Sequence, residues 1–224
     1  MKSSSNDYMP CDELLEVLRP AFSPCCHFKR DCKTAKMRWD PQNGHVPRGF
    51  CGGFGRLSDV EFVLIIAEPA EPQTSEKYSW RPGSEKELVK SIAKGVFDAL
   101  EDPPTIFHKN LKYILNNICP NLGLHEQLKK TWITDSVLCS APKLCGPVSS
   151  ERTCVDSYLV HQLRLLKDSR VVALGRKAER RTMMAFDRLD QLGIAHPKYS
   201  YAWASAPPGA NRPQAKKSWD RLKE

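Results

Sequence analysis

The sequence predicts an α/β fold with three layers, α/β/α, built on a mainly parallel sheet of four strands. Short apolar runs alternate with longer segments of helical periodicity, which is typical of parallel strands joined by helical crossovers. The clearest strand is Val60–Ile66, where six of seven residues are apolar and most are β-branched or aromatic. This composition is typical of a strand buried on both faces.

The chain before this strand is predicted to contain one helix. Residues 1–10 are predicted to be disordered, and a single domain is expected over 11–224. Cys11–Arg19 has helical spacing and Pro20 ends it. Residues 33–55 contain two prolines and five glycines and are predicted to form a loop.

Helices and strands alternate after Ile66. Gln73–Gly83 is polar and predicts a long loop, and Ser84 with Glu87 forms a capping-box pattern that opens a helix to about Leu100. The further predicted helices are Ile106–Ile118, Leu122–Lys130, Ser149 or Ser150 to about Lys167, the residues after Gly175, and the tail from Arg212. The further strands are Thr131–Leu138, Arg170–Leu174 and Tyr199–Ser205.

Charge and cysteine content narrow the class of protein. The net charge of +8 and the pI near 9.0 favour a polyanionic partner. Nine cysteines are an odd number, Cys25 and Cys26 are adjacent, and the first ten residues lack an apolar signal region. Reduced thiols or metal ligands in the cytoplasm fit this pattern better than a secreted disulfide framework. The apolar runs are too short to span a membrane, and a monomer is expected.

Four cysteines form a candidate metal site. Cys26 and Cys32 precede the first strand, with Cys25 as the alternate to Cys26, while Cys139 follows the second strand and Cys154 lies in the next helix. Four thiolates from two separated segments can bind zinc or an iron–sulfur cluster. The alternative is that several of them are buried apolar cysteines.

The segment Ala67–Pro72 (AEPAEP) places a carboxylate after the central strand. Ligands of open α/β sheets bind at the carboxyl ends of the strands. The two prolines fix φ and remove two N–H donors, so Glu68 is expected to be held in place. An acidic turn without function is the alternative.

Six motifs, in chain order, resemble the uracil-DNA glycosylase superfamily, and most closely its family-four iron–sulfur branch, from about Cys25 to Leu222. They are Cys32–Arg38; Ile66–Ala70 in place of Gly-x-x-Pro-Gly; Trp132–Asp135 in place of a strand that ends in a base-recognising Asn; Cys139 and Cys154 at cluster-ligand positions; Val172–Gly175 with Ala178; and Ser205–Pro207 with Arg212–Trp219 in place of a His-Pro-Ser motif and its helix.

The resemblance implies a DNA glycosylase that flips a base, hydrolyses the N-glycosidic bond and leaves an abasic site. It implies DNA as the partner and a 4Fe–4S cluster on the cysteines, with zinc as the alternative. Glu68 is then the catalytic carboxylate, which stabilises the oxocarbenium-like sugar and activates water. Ser205 stands where the family has the His that stabilises the leaving base, which puts ordinary uracil excision in doubt.

The resemblance also implies base-binding and DNA-binding residues. The Phe that usually follows the first motif is missing, so Tyr78 or Trp80 is expected to stack on the base, next to Ala67, Pro69 and Ala70. Basic residues around a helix N-terminus are expected to bind phosphate, with a solvated helix face as the alternative. These DNA-binding candidates are Arg176, Lys177, Arg180, Asn211 and Arg212.

Asp135 determines which base is expected. An ionised carboxylate only accepts hydrogen bonds, so it suits the exocyclic amino group of cytosine better than the carbonyl of uracil. The favoured target is therefore a modified cytosine, for example a bulky viral one, with a role in defence against phage DNA. One alternative is a repair glycosylase for uracil or another deaminated base, in which Asp135 is protonated or hydrogen-bonds the backbone. The other is a non-catalytic zinc module that binds nucleic acid.

Overall fold

A mixed five-stranded sheet forms the centre of the computed structural model, which describes residues 8–32, 37–140, 148–205 and 212–223, with the side chains of 148, 149 and 212 left out. The strand order is β1-β3-β2-β4-β5. The neighbours β3, β2, β4 and β5 are parallel, and β1 is antiparallel to β3. The strands are β1 (Phe50–Gly52), β2 (Phe62–Ile66), β3 (Thr131–Asp135), β4 (Arg170–Leu174) and β5 (Lys198–Ala202).

Helices precede the sheet, connect the parallel strands and follow the last one. They are α1 (Asp12–Leu18), α2 (Glu85–Glu101), α3 (Ile106–Ile118), α4 (Leu124–Lys130), α5 (Val148–Cys154), α6 (Val160–Leu165), α7 (Arg176–Gln191) and α8 (Arg212–Asp220). A π turn, Val155–Leu159, joins α5 to α6. Within the residues described, no helix has both the length and the apolar character needed to cross a membrane.

The two faces of the sheet bury separate apolar clusters, which confirms the predicted three layers. Val63 and Val171 pack on the side of α1, α6 and α7. Leu64 and Val172, their neighbours in sequence, pack on the side of α3, α4 and α8. Successive side chains of a strand point to opposite faces, so these continuous apolar runs supply both cores.

The prediction of four strands is wrong, because β1 lies inside the segment predicted to be a loop. Phe50 pairs with Thr134, and Gly52 pairs with Trp132. Gly52 has φ +94, and a Cβ there would lie 2.0 Å from the carbonyl oxygen of Thr131. Glycine is therefore required by the close approach of the two strands, although it weakens the strand signal in the sequence.

The ends of three predicted segments also differ from the prediction. The strand predicted to reach Leu138 ends at Asp135, and the last strand is Lys198–Ala202 rather than Tyr199–Ser205. The disordered segment was predicted to reach residue 10, but Tyr8 packs against Phe97 with ring centroids 4.8 Å apart. Residues 1–7 lie outside the described residues.

The strand order locates a crevice. Across the sheet, the four parallel strands lie in the order β3, β2, β4, β5. The connection from β2 leads to β3 on one side, and the connection from β4 leads to β5 on the opposite side. In sheets of this kind, ligands bind outside the carboxyl ends of the two strands where the order reverses. These ends carry Glu68, just after β2, and the turn at Gly175, just after β4.

Candidate active site and cysteine cavity

The loop after β2 is fixed to the loop after β3. The carbonyl of Ala67 accepts hydrogen bonds from the Ser136 hydroxyl at 2.7 Å and from the backbone N–H of Val137 at 3.1 Å. Ser140 donates to the carbonyl of Ala70 at 2.8 Å, and Pro69 is buried. The backbone around Glu68 is therefore anchored by side chains that the sequence pattern did not single out.

The carboxylate of Glu68 bridges β2 and α7. Its side chain is 3% exposed, Lys177 Nζ lies 2.5 Å from Oε1, and Arg181 Nη1 lies 2.5 Å from Oε2. Glu68 was predicted to be catalytic, and Lys177 was predicted to bind phosphate. In this structure the two residues form an ion pair with each other.

Arg181 is the centre of a buried charge network. Its side chain is fully buried, and it also donates to the carbonyl of Ala67 at 2.7 Å and to Glu151 at 2.6 Å. Glu151 in turn accepts from Arg180 at 2.6 Å. The result is a chain of alternating charges, Lys177–Glu68–Arg181–Glu151–Arg180, called here the charge network.

The charge network changes the interpretation of the basic residues at the start of α7. Arg176 is exposed, but Lys177 and Arg180 each bond a carboxylate, and Arg181 lies in the interior. The burial of Arg181 had a sequence signal. It stands on the same face of α7 as Ala178, Ala185 and Leu189, at the spacing of a buried helical stripe.

Asp135 ends β3 as a nearly isolated buried acid. The residue is 4% exposed, and in the described part of the chain its carboxyl group makes no hydrogen bond or ion pair. Burial and the negative charge of Glu68 raise the pKa of Asp135 well above its ordinary value, against the opposing effect of Arg48 and Arg181. The raised pKa favours the neutral acid, which has one donor and one acceptor, over the ionised carboxylate.

Gly49 makes room for this carboxyl group. It has φ +82, and a Cβ at this position would lie 1.5 Å from Asp135 Oδ2. The backbone N–H of Asp135 donates to the carbonyl of Gly49 at 2.8 Å. Only glycine permits both this backbone conformation and this contact.

Arg48, the residue before Gly49, is a second buried cation that the sequence did not indicate. It donates to Ser140 Oγ at 2.9 Å, to the carbonyl of Ala70 and to Glu76. Its position between the loops that follow β2 and β3 depends on pairings between distant segments. The residues themselves, an Arg-Gly pair before two apolar residues, carry no distinctive motif.

The two aromatic candidates for base stacking lie in different surroundings. Tyr78 lies near Arg48 and Glu76, and burial raises its pKa to about 12. Trp80 instead donates its indole N–H to the carbonyl of Phe22 at 3.0 Å, and its ring meets Trp39 edge-on at 5.4 Å. Tyr78 is therefore the candidate that lies beside the residues of the strand-end site.

Ser205 follows β5 and is buried, close to the turn that begins α7. Its carbonyl accepts a hydrogen bond from Asn110 Nδ2 at 2.5 Å, an interaction that the sequence did not predict. Its neighbour Ala204 packs so closely on Gly175 that a Cβ there would lie 2.8 Å from the Ala204 Cβ. Asn211 lies outside the described residues, and so does the side chain of Arg212.

Four cysteines line one cavity. They are Cys25, Cys32, Cys139 and Cys154, and apolar side chains such as Met37 and Val137 complete the walls. Cys26 is exposed and is not part of the lining. The structure therefore brings together the alternate set, with Cys25 in place of Cys26.

Positive charge in this cavity would stabilise the thiolates. Burial raises the pKa of Cys32 to about 11 and that of Cys154 to about 12, and the neighbouring thiols add to the effect. The pKa of Cys139 is raised well above its ordinary value for the same two reasons. Deprotonation of such a set is favourable only with a bound cation. Among the described residues, no group of three or more His, Cys, Asp or Glu side chains forms a site for a metal ion.

Hydrogen bonds attach the turn that contains Cys25 and Cys32 to the π turn. The Cys25 thiol lies 3.1 Å from the Tyr158 hydroxyl. His27 Nε2 lies 3.1 Å from Ser157 Oγ, and its Nδ1 lies 2.8 Å from Asp31. The π turn begins directly after Cys154, and such turns are frequent at functional sites.

The eight cysteines in the described ranges are free, and Cys145 lies outside those ranges. Cys11, Cys51 and Cys119 are buried away from the cavity. They are buried apolar cysteines, which is the role that the sequence analysis gave as the alternative to metal ligation for the candidate ligands.

A search of protein-family models finds no match to this chain, and no curated protein matches it either. The functional conclusion therefore depends on the chain's own residues.

Proposed function

We propose that this protein is a DNA glycosylase that flips a modified base out of the helix and hydrolyses its N-glycosidic bond. The observation that carries the proposal is the meeting of two buried acids, Glu68 and Asp135, at the carboxyl ends of adjacent parallel strands. Both lie where α/β sheets bind ligands. Two carboxyl groups in different environments can divide the tasks of such a site between them.

Glu68 supplies the negative charge that the reaction needs. The sugar gains positive character as the base leaves, and a nearby carboxylate stabilises that charge and can accept a proton from the attacking water. Arg181 and the anchored loop fix the carboxylate in one orientation. Ser205 is the proposed donor to the departing base, in the place of a histidine.

Asp135 is the proposed base-recognising residue. As a neutral acid it donates from one oxygen and accepts with the other. A cytosine-type edge, with an amino group beside a ring nitrogen acceptor, matches this pair, and Ser205 in place of histidine favours a target other than ordinary uracil. We therefore keep a modified cytosine as the proposed substrate, with defence against phage DNA as the proposed role.

A second candidate substrate is uracil. A uracil-type edge presents a carbonyl beside an N–H, and neutral Asp135 matches it once the proton is placed on the other oxygen. The raised pKa of Asp135 is the observation that favours this alternative.

The four cavity cysteines are the proposed ligands of a 4Fe–4S cluster. A cluster spans several atoms, so its ligands need not meet at one point. When bound, it would supply a cross-link between the turn with Cys25 and Cys32, the loop after β3 and helix α5. Zinc, in a non-catalytic module that binds nucleic acid, is the alternative for the same thiols.

A panel of oligonucleotides tests the proposed function. Each carries one modified base, among them uracil and several 5-substituted cytosines, and excision is detected as strand cleavage after alkali. We expect excision of at least one substituted cytosine at single turnover. Binding of the oligonucleotides without excision of any base would instead support the non-catalytic module, and iron and zinc analysis of anaerobically purified protein separates the two metals.

A further inference from the structure

Helix α3 runs against the direction of the parallel strands. At its far end, Cys119 Sγ lies 3.9 Å from the hydroxyl of Thr131, the residue that begins β3. Near its start, Asn110 donates to the carbonyl of Ser205, beyond the end of β5. The first turn of α3 therefore lies at the carboxyl-end edge of the sheet, beside the crevice that contains the candidate active site.

His108 is the titratable side chain of this first turn, and its ring is held by the helix cap. Thr105, the N-cap residue, accepts a hydrogen bond from the backbone N–H of His108 at 3.4 Å, and its Oγ1 lies 2.8 Å from His108 Nδ1. Since this oxygen accepts from the backbone, its own hydroxyl proton is available for Nδ1. Nδ1 is then the acceptor, and the ring carries its proton on Nε2.

The second ring nitrogen of His108 is available to a ligand. Within the residues that the structure describes, Nε2 makes no hydrogen bond. The ring is half-buried, and burial lowers the pKa of His108 against the opposing effect of the negative charge of Glu76. Glu76 in turn accepts from Arg48, the buried cation between the loops that follow β2 and β3. A neutral imidazole with an unused N–H donor thus lies beside the strand-end site.

The proposed reaction needs such a donor. As the bond between the sugar carbon and the base nitrogen breaks, its electron pair goes to the base, and a pyrimidine collects this charge on the carbonyl oxygen next to that nitrogen. An N–H group directed at this oxygen stabilises the charge, whereas a carboxylate would repel it. Glu68 serves the sugar and the water, and Asp135 is assigned to base recognition, so a further donor is required at the departing oxygen.

We propose that His108 is a further catalytic residue, whose Nε2–H donates a hydrogen bond to the carbonyl oxygen of the departing pyrimidine, alongside the Ser205 hydroxyl. The inference rests on the proposed function, and it adds that the target carries a carbonyl next to the glycosidic nitrogen. His108 keeps its proton during the step. The attacking water gives its oxygen to the sugar and one proton to Glu68, which releases it to solvent, and the base anion takes up a proton from solvent.

Two substitutions separate this role from a purely structural role at the helix start. In His108→Asn the amide occupies the place of Nδ1 and can still bond Thr105, but no group reaches the place of Nε2. In His108→Gln the amide does reach that place. We expect single-turnover excision of the most active oligonucleotide to fall at least about 100-fold in His108→Asn, the scale of one lost donor to a developing oxyanion, and His108→Gln to retain about tenfold more activity than His108→Asn.

Binding and folding are measured on the same variants. Affinity for an unmodified oligonucleotide of the same sequence and the melting temperature should both stay close to the wild-type values, because the donor acts only as charge develops on the base. His161→Asn is the matched control, since His161 is an exposed histidine of α6, and it should cleave at the wild-type rate. Full activity in His108→Asn, or equal losses in His108→Asn and His108→Gln, would overturn the catalytic role.

NMR tests the protonation of the ring without any excision. The ¹⁵N shifts of the six histidine rings are compared between the wild type and His108→Gln, which identifies the His108 signals. We expect a neutral ring at pH 7 with its proton on Nε2, and a proton on Nδ1 instead would overturn the proposal even if the protein cleaves DNA. Absence of excision by the wild type would refute the proposed function and this role together, whereas excision with either contrary result would refute the role of His108 alone.

Discussion

Glu68 shows how much a local sequence pattern can predict about the surroundings of one side chain. The prolines and the preceding strand correctly indicated an acid anchored at a strand end. They could not indicate that Lys177 and Arg181 would bond it, because both lie more than a hundred residues later in the chain. The same holds for Asp135, whose pKa is raised by burial and by the negative charge of Glu68.

Glu68→Gln is expected to lose excision by at least about 100-fold, the usual scale of a lost general base. Glutamine keeps an oxygen that can accept from Arg181, so the fold should persist. Single-turnover cleavage of the most active oligonucleotide measures the loss, with thermal melting as the check on folding.

Glu71→Gln is the matched control, because Glu71 lies in the same loop with its side chain 60% exposed. It should cleave at the wild-type rate. Full activity in Glu68→Gln would remove Glu68 from the chemistry and leave it as a structural partner of Arg181.

Asp135→Asn is expected to change the pH dependence of stability. The pKa of Asp135 is raised in the folded state, so above the unfolded value of about 3.9 the folded protein binds more protons than the unfolded chain. Stability of the wild type therefore falls with rising pH in this window, and asparagine, which does not titrate, removes that loss. Urea denaturation measures the free energy of unfolding at pH 5 and pH 7. The value for the variant, relative to that for the wild type, should be higher at pH 7 than at pH 5.

Asp98→Asn serves as the comparison, since Asp98 is exposed on α2. A stability difference between Asp135→Asn and the wild type that is the same at both pH values would show that Asp135 is already ionised in the fold.

At the scale of secondary structure, elements with a strong local signal were predicted and those defined by distant pairing were not. The apolar runs of β2 and β4 and the periodic apolar residues of helix α2 carry their signal within a few residues. The predicted capping box before α2 is not formed, because the Ser84 hydroxyl bonds the backbone of Arg81 instead of the helix. The strand β1 has three residues, one of them glycine, and exists because β3 offers it an edge. The π turn differs from an α-helix by a shift in hydrogen bonding that no residue type marks.

Cys154→Ser is expected to abolish binding of the metal group and to lower stability, because the proposed ligands join the turn around Cys25 to helix α5. Visible absorption and iron content measure the first effect, and thermal melting measures the second. Cys26→Ser is the control, since Cys26 is exposed and adjacent to a cavity cysteine.

Two outcomes would contradict this assignment. Equal loss of iron in Cys26→Ser would return Cys26 to the ligand set, and stoichiometric zinc without iron in anaerobically prepared wild type would rule out the cluster.

At the scale of the whole molecule, the order of the strands determines the site. Predicted strands alone do not give that order, and it is the reversal between β2 and β4 that places Glu68 opposite the start of α7. The sequence therefore predicted the layers and proposed several residues of the candidate site, whereas their convergence required the three-dimensional arrangement.

The net charge of +8 leads to an expected dependence of DNA affinity on salt. Each phosphate neutralised contributes about −0.9 to the logarithmic slope for duplex DNA and about −0.7 for single strands. Fluorescence anisotropy with both forms of one sequence, between 50 and 200 mM salt, measures the slope. Affinity that does not change with salt would argue against a nucleic-acid partner.

The π turn has a consequence for insertions and deletions in this chain. It contains one residue more per turn than an α-helix, so deletion of one residue within Val155–Leu159 could restore an uninterrupted helix. The π turn uses one additional residue for the same rotation about the helix axis, so the segments before and after the deletion would keep their relative orientation. Cys154 would still face the cavity, and Glu151 would still face Arg181. A homologue that is shorter by this one residue would therefore keep the cysteine cavity and the charge network, whereas deletion of one residue from α6 itself would rotate α5 by about 100° relative to the rest of α6.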